Sequence, residues 1–408
     1  MKDIAVIGGG ASGLMAACLA AEREGNRVHL FEKQKKTGRK ILVTGNGRCN
    51  ISNRNLHPSR YHGHNPRFVN NIFGRYGLQQ TIDFFQSIGL PFTEEDEGKL
   101  FPASLQALTV MRLFEYELER RGVTVHLHRR VDHVYPGRQG EPVTIVTAGR
   151  EEYRFDAVIL ACGSCAFGPV GASRSGYELA ASLGHTVHEP FPAILPLNIP
   201  VKALHRLQGI RWDCTLEVLV DGKTVDQSTG EVLFAKYGIS GPASLAVSRS
   251  VNQAVLEDRN VAIMLNIFPY MDRDEFMNTV QLLWQDGKKP LSLSLMGIMH
   301  SRMPEVFLSM AGIDHEKKVA EVGKAERERV ADAFLAYRLE PGKPRPFTEA
   351  VVAAGGVDVN EINPATMESK KAPGVHITGE LLDIDGDSGG FNLQFAWSTG
   401  AIAGMAQW

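Results

Sequence analysis

Residues 3–7 (DIAVI) are an apolar run of strand length, and a glycine-dense turn follows at Gly8-Gly9-Gly10-Ala11-Ser12-Gly13. Residues 14–24 are mainly small and apolar, as in a helix that packs closely. Gly25-Asn26 supplies a helix stop, and residues 27–31 (RVHLF) read as a second strand that ends at Glu32, completing one βαβ unit. Residues 124–127, 143–146 and 157–161 also read as strands, the last almost wholly apolar, as expected of a buried parallel strand. Between about 215 and 267 short β-type runs recur (215–220, 261–267) with turns at Asp221-Gly222 and Gly241-Pro242. From 272 to 337 the spacing is helical, with Val330, Phe334 and Tyr337 on one face, and after Pro346 the chain is again apolar and glycine-rich. Pro190, Pro192, Pro196 and Pro200, and then Pro341, Pro344 and Pro346, mark two crossings between domains, because proline neither donates to a ladder nor continues a helix. No internal repeat is present, which argues against a solenoid.

The chain has 408 residues, a length for roughly two to four domains. Lys plus Arg is 44 against 46 for Asp plus Glu, a net charge of −2. That balance argues against a strongly basic nucleic-acid binder, although local patches remain. Cys18, Cys49, Cys162, Cys165 and Cys214 are an odd, sparse set without framework spacing, which suits a reducing, cytoplasmic setting. No apolar run approaches the roughly 20 residues needed to span a bilayer, so no membrane partner is expected. Residues 14–18 (LMAAC) have the look of a lipoprotein-type export signal, but Lys2 is followed at once by Asp3 and three glycines break the apolar core.

Gly8-x-Gly10-x-x-Gly13 alone is a weak signal; its context is what counts. It follows a strand, opens a helix, and is followed by Glu32 at the end of the next strand. Gly8 permits the tight turn, Gly10 lets the backbone approach a pyrophosphate, and Gly13 allows close helix–strand packing. The helix N-terminus presents free N–H groups, including those of Ala11 and Ser12, to the phosphates. Glu32 would accept hydrogen bonds from both ribose hydroxyls and repel a 2′-phosphate, so FAD or NAD is expected here, not NADP. The bland alternative is a glycine turn that packs a helix on a sheet without a ligand. The run Lys33, Lys35, Lys36, Arg39, Lys40 reads either as a solvated loop or as placing Arg39 or Lys40 near the dinucleotide.

Residues 37–53 (TGRKILVTGNGRCNISN) follow neither periodicity. This segment closely resembles the signature of a family of bacterial FAD-binding proteins, the aminoacetone-oxidase-like and bile-acid-reductase-like flavoproteins of the two-dinucleotide-binding-fold group. Residues 98–107, 234–243 (FAKYGISGPA), 354–357, Gly379-Glu380-Leu381-Leu382-Asp383 and Gly389-Gly390-Phe391-Asn392-Leu393-Gln394 match the same family in the same order, over essentially the whole chain. The resemblance implies an α/β fold: a Rossmann-like FAD-binding domain of the glutathione-reductase type, built from residues 1–190 and 341–408. Between them it implies an inserted β-barrel (191–271) and helical subdomain (272–340). It also implies FAD contacts at Gly8, Gly10, Ala11, Ser12, Gly13, Glu32, Lys33, Arg39, Lys40, Gly47, Arg48, Cys49, Asn50, Val131, Ala161, Gly163, Gly379, Glu380, Gly390, Phe391, Asn392 and Leu393. A physical reason stands beside the last group: the apolar run 391–405 reads as a helix whose N-terminus would face the flavin and favour the anionic charge of its reduced form. Where the family has an acidic residue in a Gly-Asp-Gly turn, this chain has Arg174-Ser175-Gly176.

The expected activity is an FAD-dependent oxidoreductase moving a hydride or two electrons between flavin N5 and a small organic substrate, with NAD(P)H a possible donor. The alternatives are a flavin-binding sensor or interaction protein without turnover, and an oxidase that uses oxygen. An RNA-modifying flavoprotein would draw on basic stretches such as Arg120, Arg121, Arg129 and Arg130; the near-zero net charge argues against a nucleic-acid partner. No second Gly-x-Gly-x-x-Gly marks a separate nicotinamide domain, and no catalytic residue is singled out. Cys162-Gly163-Ser164-Cys165 ends a strand instead of starting a helix, so buried thiols are expected there; Cys49 would pack or tune the flavin. His57, His62 and His64 have no acid or cysteine between residues 50 and 71, so no metal is expected. Asp383, Asp385 and Asp387 lack the glycine and terminal glutamate of a calcium loop.

Overall fold

In the computed structural model, residues 2–137 and 141–408 are described. The opening apolar run forms β1 (Asp3–Ile7), which leads through the glycine turn into helix α1 (Ala11–Ala20) and returns in β2 (Arg27–Glu32). Three further strands, β3 (Thr124–Leu127), β4 (Ala157–Leu160) and β5 (Val375–Ile377), complete a five-stranded sheet of order β5-β4-β1-β2-β3. All of its pairings are parallel. β1 and β4 are apolar nearly throughout because helices and strands cover both of their faces.

The chain falls into two compact units, residues 1–191 with 351–408, and residues 192–350. The C-terminal segment returns to the first unit through β5 and through helix α2 (Phe391–Met405), almost every residue of which is buried. α2 is apolar all round, as a helix enclosed by its own domain must be. It packs on α1 at glycine contacts: a Cβ on Gly400 would lie 2.2 Å from the Ser12 carbonyl oxygen, and one on Gly404 2.6 Å from that of Ala16. No larger residue fits at either place without separating the two helices.

The second unit contains a six-stranded antiparallel sheet, in the order Leu197–Asn198, Gly238–Ser240, Lys223–Ala235, Arg211–Val220, Val261–Asn266, Tyr337–Leu339. Its last two strands are neighbours, so the helical stretch between them, including Arg273–Leu283, Met303–Met310 and Lys324–Leu335, is a long connection within one sheet. Where the sequence suggests a break after residue 271, a single apolar core unites both parts through Phe234, Phe276, Phe307 and Phe334. Helical periodicity distinguishes the segment locally but does not reveal that its helices bury their apolar faces on the strands. No helix among the described residues is long and apolar enough to cross a membrane.

Candidate functional site

The first unit carries a cleft beyond the carboxyl ends of β1 and β4, where an open parallel sheet places its ligands. Gly8 takes φ +109°, and a Cβ there would lie 2.4 Å from the Ala161 carbonyl oxygen. A Cβ on Gly13 would lie 1.9 Å from the carbonyl oxygen of Gly8. Gly10 differs: nothing lies within 4 Å of its Cβ position, which is open space beside the N-terminus of α1. The first and third glycines therefore serve packing, and the second serves close approach. At the end of β2 the Glu32 carboxylate accepts hydrogen bonds from the backbone N–H of Gly9 (2.9 Å) and of Gln34 (2.7 Å), one on each oxygen. The side chain is thus held at the cleft with a further lone pair on each oxygen.

The far part of the cleft is formed by the returning C-terminal segment. Gly390, at φ +103°, caps α2, and its Cβ position lies 2.5 Å from the Ser52 carbonyl oxygen. Asn392 and Leu393, in the first turn of α2, line the cleft. The Asn392 amide is held by the Gly386 backbone through both its oxygen (2.8 Å) and its nitrogen (2.7 Å). Lys40 Nζ and Glu380 Oε2 form an ion pair at 2.6 Å on the cleft wall, and Glu380 Oε1 accepts from Ala353 N at 3.2 Å. Ile41, Val351, Val352, Leu393 and Ala396 supply apolar wall. The atom-free space of the cleft, its open mouth included, is about 1310 Å³.

These residues fit an FAD molecule. An extended dinucleotide needs an open glycine at a helix N-terminus for its pyrophosphate and an acid one strand away for its ribose, and both line this cleft. It also needs a second region for its ring, which the first turn of α2 and the apolar wall provide.

Of the residues expected from the sequence, Gly8, Gly10, Ala11, Ser12, Glu32, Lys33, Arg39, Lys40, Val131, Ala161, Gly163, Glu380, Asn392 and Leu393 line the cleft. Gly13, Gly47, Arg48, Cys49, Asn50, Gly379, Gly390 and Phe391 are not among its lining residues. Gly379, at φ +69°, lies against Ser12; Phe391 accepts the Tyr61 hydroxyl on its carbonyl oxygen at 2.9 Å. The signature segment turns through left-handed backbone at Gly45, Asn46, Gly47 and Cys49. Arg48 stacks over Phe101 at 4.4 Å and pairs with Glu95 at 2.7 Å. Cys49 is fully buried, and burial pushes its thiol up to about 12, so it is a neutral packing group. Asn50 Oδ1 is buried without a partner.

The sequence reading missed Gly9, Gln34, Gly38, Arg129, Arg130 and Cys162, all of which line the cleft. Gly38 was within reach, since its N–H donates to Gly9 O at 2.7 Å and its φ of +65° requires glycine. Arg129 and Arg130 carried a signal only as a basic pair. Cys162 is half-buried and its thiol is pushed up to about 12 by desolvation, and all five cysteines are free. Away from the cleft, no acid is near His64 in the chain, yet folding brings Asp383 to 2.8 Å from His64 Nδ1 and stacks the His64 ring on that of His188.

Fold and cleft, taken with the family and relatives that follow, define the class: a Rossmann-fold flavoprotein that binds FAD, an FAD-dependent oxidoreductase. Residues 2–406 match the family described as the HI0933-like protein Rossmann domain, and the chain belongs to that family. It is 35% identical over 410 residues to the 3-dehydro-bile acid delta(4,6)-reductase of Clostridium scindens, covering 100% of this chain and 99% of that one. It is 28% identical to the ribosomal RNA dihydrouridine synthase of Escherichia coli, covering 97% and 96% of the two chains. Among solved structures, 3-ketosteroid delta1-dehydrogenase from Sterolibacterium denitrificans shares the fold at a TM-score of 0.50 and 12% identity, over 99% of this chain and 98% of that one.

Proposed function

We propose that this protein reduces a carbon–carbon double bond conjugated to a carbonyl group, with a nicotinamide dinucleotide as electron donor. The observation that carries the reading is the joining of a dinucleotide cradle and the first turn of α2 in one cleft with an apolar wall. The relatives named above supply the substrate class. A 3-dehydro-bile acid delta(4,6)-reductase and a dihydrouridine synthase have different substrates, but both names describe saturation of an alkene activated by a carbonyl.

Bound FAD supplies two-electron chemistry at N5. The chain's own residues do the rest. The N-terminus of α1 and the open face of Gly10 would hold the pyrophosphate, and Glu32 would orient the ribose. The first turn of α2 would face the ring with a partial positive charge, which would favour the reduced, anionic form. The product gains a hydride at the carbon β to the carbonyl and a proton at the α carbon, and the donor's oxidation balances the two electrons. Free thiols and a buried, neutral Cys49 support a cytoplasmic setting.

Anaerobic mixing of the FAD-loaded protein with NADH or NADPH tests the donor: rapid bleaching of the flavin band is expected. Addition of a 3-oxo-4,6-diene bile acid, or in a parallel arm of uridine-containing ribosomal RNA, then restores the band in step with loss of the alkene. Recovery with oxygen alone would make the protein an oxidase. Absence of both bleaching and recovery would leave a flavin-binding sensor.

A further inference from the structure

We infer that His64, His188 and Asp383 form a binding site for one divalent transition-metal ion, with zinc as the reference ion. The site belongs to the first unit, and none of the three residues lines the FAD cleft. His64 follows the short strand Tyr61–His62, His188 lies in the strand Val187–Ile194, and Asp383 follows the turn Gly379–Leu381. Each offers one donor atom, and all three atoms lie within 4.8 Å of one another. Asp383 Oδ2 is 2.8 Å from His64 Nδ1 and 3.9 Å from His188 Nε2. Bonds of about 2.0–2.2 Å to one ion put neighbouring ligand atoms roughly 3–3.5 Å apart, between these two distances.

Two features distinguish the cluster from a plain histidine–aspartate contact. The Asp383 carboxylate is only 2% exposed, and the ion pairs it makes among the described residues are with these two histidines and not with lysine or arginine. His188 Nε2 is buried without a hydrogen-bond partner. The carboxylates of Asp383 and Asp358 are each 3.9 Å from it, too far for a hydrogen bond. The imidazoles stack face to face at 3.6 Å and 13°. An imidazole lone pair lies in the ring plane, so sharing one ion with His188 would require the largely exposed His64 ring to turn out of this stack. Neutral imidazole beside carboxylate is the donor set of zinc, nickel and ferrous iron.

Asp358 stands outside this group, its Oδ2 3.9 Å from His188 Nε2. With three protein ligands, water would complete the coordination. The ion would fix the start of the segment that runs from Asp383 to Gly390, which caps α2. Its role would therefore be to hold that segment in place rather than to react.

The test uses the tag-free, FAD-loaded protein stripped of metal by a chelator. Zinc titration by calorimetry should show one ion per chain, with a rise in melting temperature. X-ray absorption at the zinc edge should show nitrogen and oxygen neighbours near 2.0–2.1 Å with imidazole scattering. His64→Ala alters a largely exposed side chain and should melt like the parent without metal. It should weaken zinc binding at least about tenfold, and His64→Ala with His188→Ala about a hundredfold, because even residues one shell beyond a metal cost 10–100-fold when changed. Zinc binding of equal strength in parent and His64→Ala, or absorption spectra without imidazole, would overturn the assignment.

Discussion

Gly10 and Gly13 lie on the same turn three residues apart, and the structure assigns them opposite fates under one substitution. In Gly13→Ala the new Cβ would lie 1.9 Å from the backbone oxygen of Gly8. A backbone neighbour cannot rotate aside, so α1 must lift from β1. Overpacking of this kind costs about 1–3 kcal/mol or more. In Gly10→Ala the Cβ meets no protein atom within 4 Å, and Gly10 already has φ −84°. Loss of a glycine N-cap costs about 0.5–1 kcal/mol, and the smaller entropy of the unfolded chain returns about 0.4–1 kcal/mol, so stability should be unchanged to within about 1 kcal/mol. The same methyl group stands where a pyrophosphate must approach the helix N-terminus. If it displaces two charge-assisted hydrogen bonds of about 1.5 kcal/mol each, FAD affinity falls about a hundredfold. Melting of the two apoproteins and fluorescence titration with FAD measure both quantities. A Gly10→Ala protein that binds FAD as tightly as the parent would refute the cradle, and a Gly13→Ala apoprotein as stable as the parent would refute the packing argument.

Gly400→Ala places a methyl group 2.2 Å from the Ser12 carbonyl oxygen and should lower the apoprotein's stability by about 1–3 kcal/mol, seen as a lower denaturant midpoint. A thiol-reactive probe at pH 8 should leave Cys49 unlabelled in the native protein and label it after unfolding, since burial holds the thiol at about 12; fast native labelling would contradict its packing role. Burial alone would raise the Glu361 carboxyl, but hydrogen bonds from Lys371, Thr186 and His185 outweigh it and hold the group at about 2 instead of its ordinary 4.5. A depressed acid binds fewer protons folded than unfolded. Its stabilisation is therefore full above about pH 4.5 and lost as pH falls towards 2. After discounting for solvent screening, Glu361→Gln should cost about 1–2 kcal/mol at pH 7 and little at pH 2.5, by urea titration at both values; an equal cost at the two would contradict the pairing.

Local pattern determined much of this protein. The turn at Gly8 to Gly13, Glu32 at the end of β2, and the whole extent of α2 from Phe391 to Met405 are legible because each rests on neighbours in the chain: alternation, helical spacing, and glycine where backbone must bend or come close. The signature around Gly47 to Asn50 was legible as a motif, but its conformation was not, since a run of left-handed backbone has no period. The unity of the second unit's core was hidden for the same reason, because periodicity gives a helix its apolar face without naming the surface that covers it. Only tertiary structure decided which distant residues meet: Ser12 with Gly400, Lys40 with Glu380, and His64 with Asp383 across 319 positions. Local propensity is an energy of adjacent residues, whereas those contacts arise when the sheet and its helices close on one core and carry along the side chains at their ends.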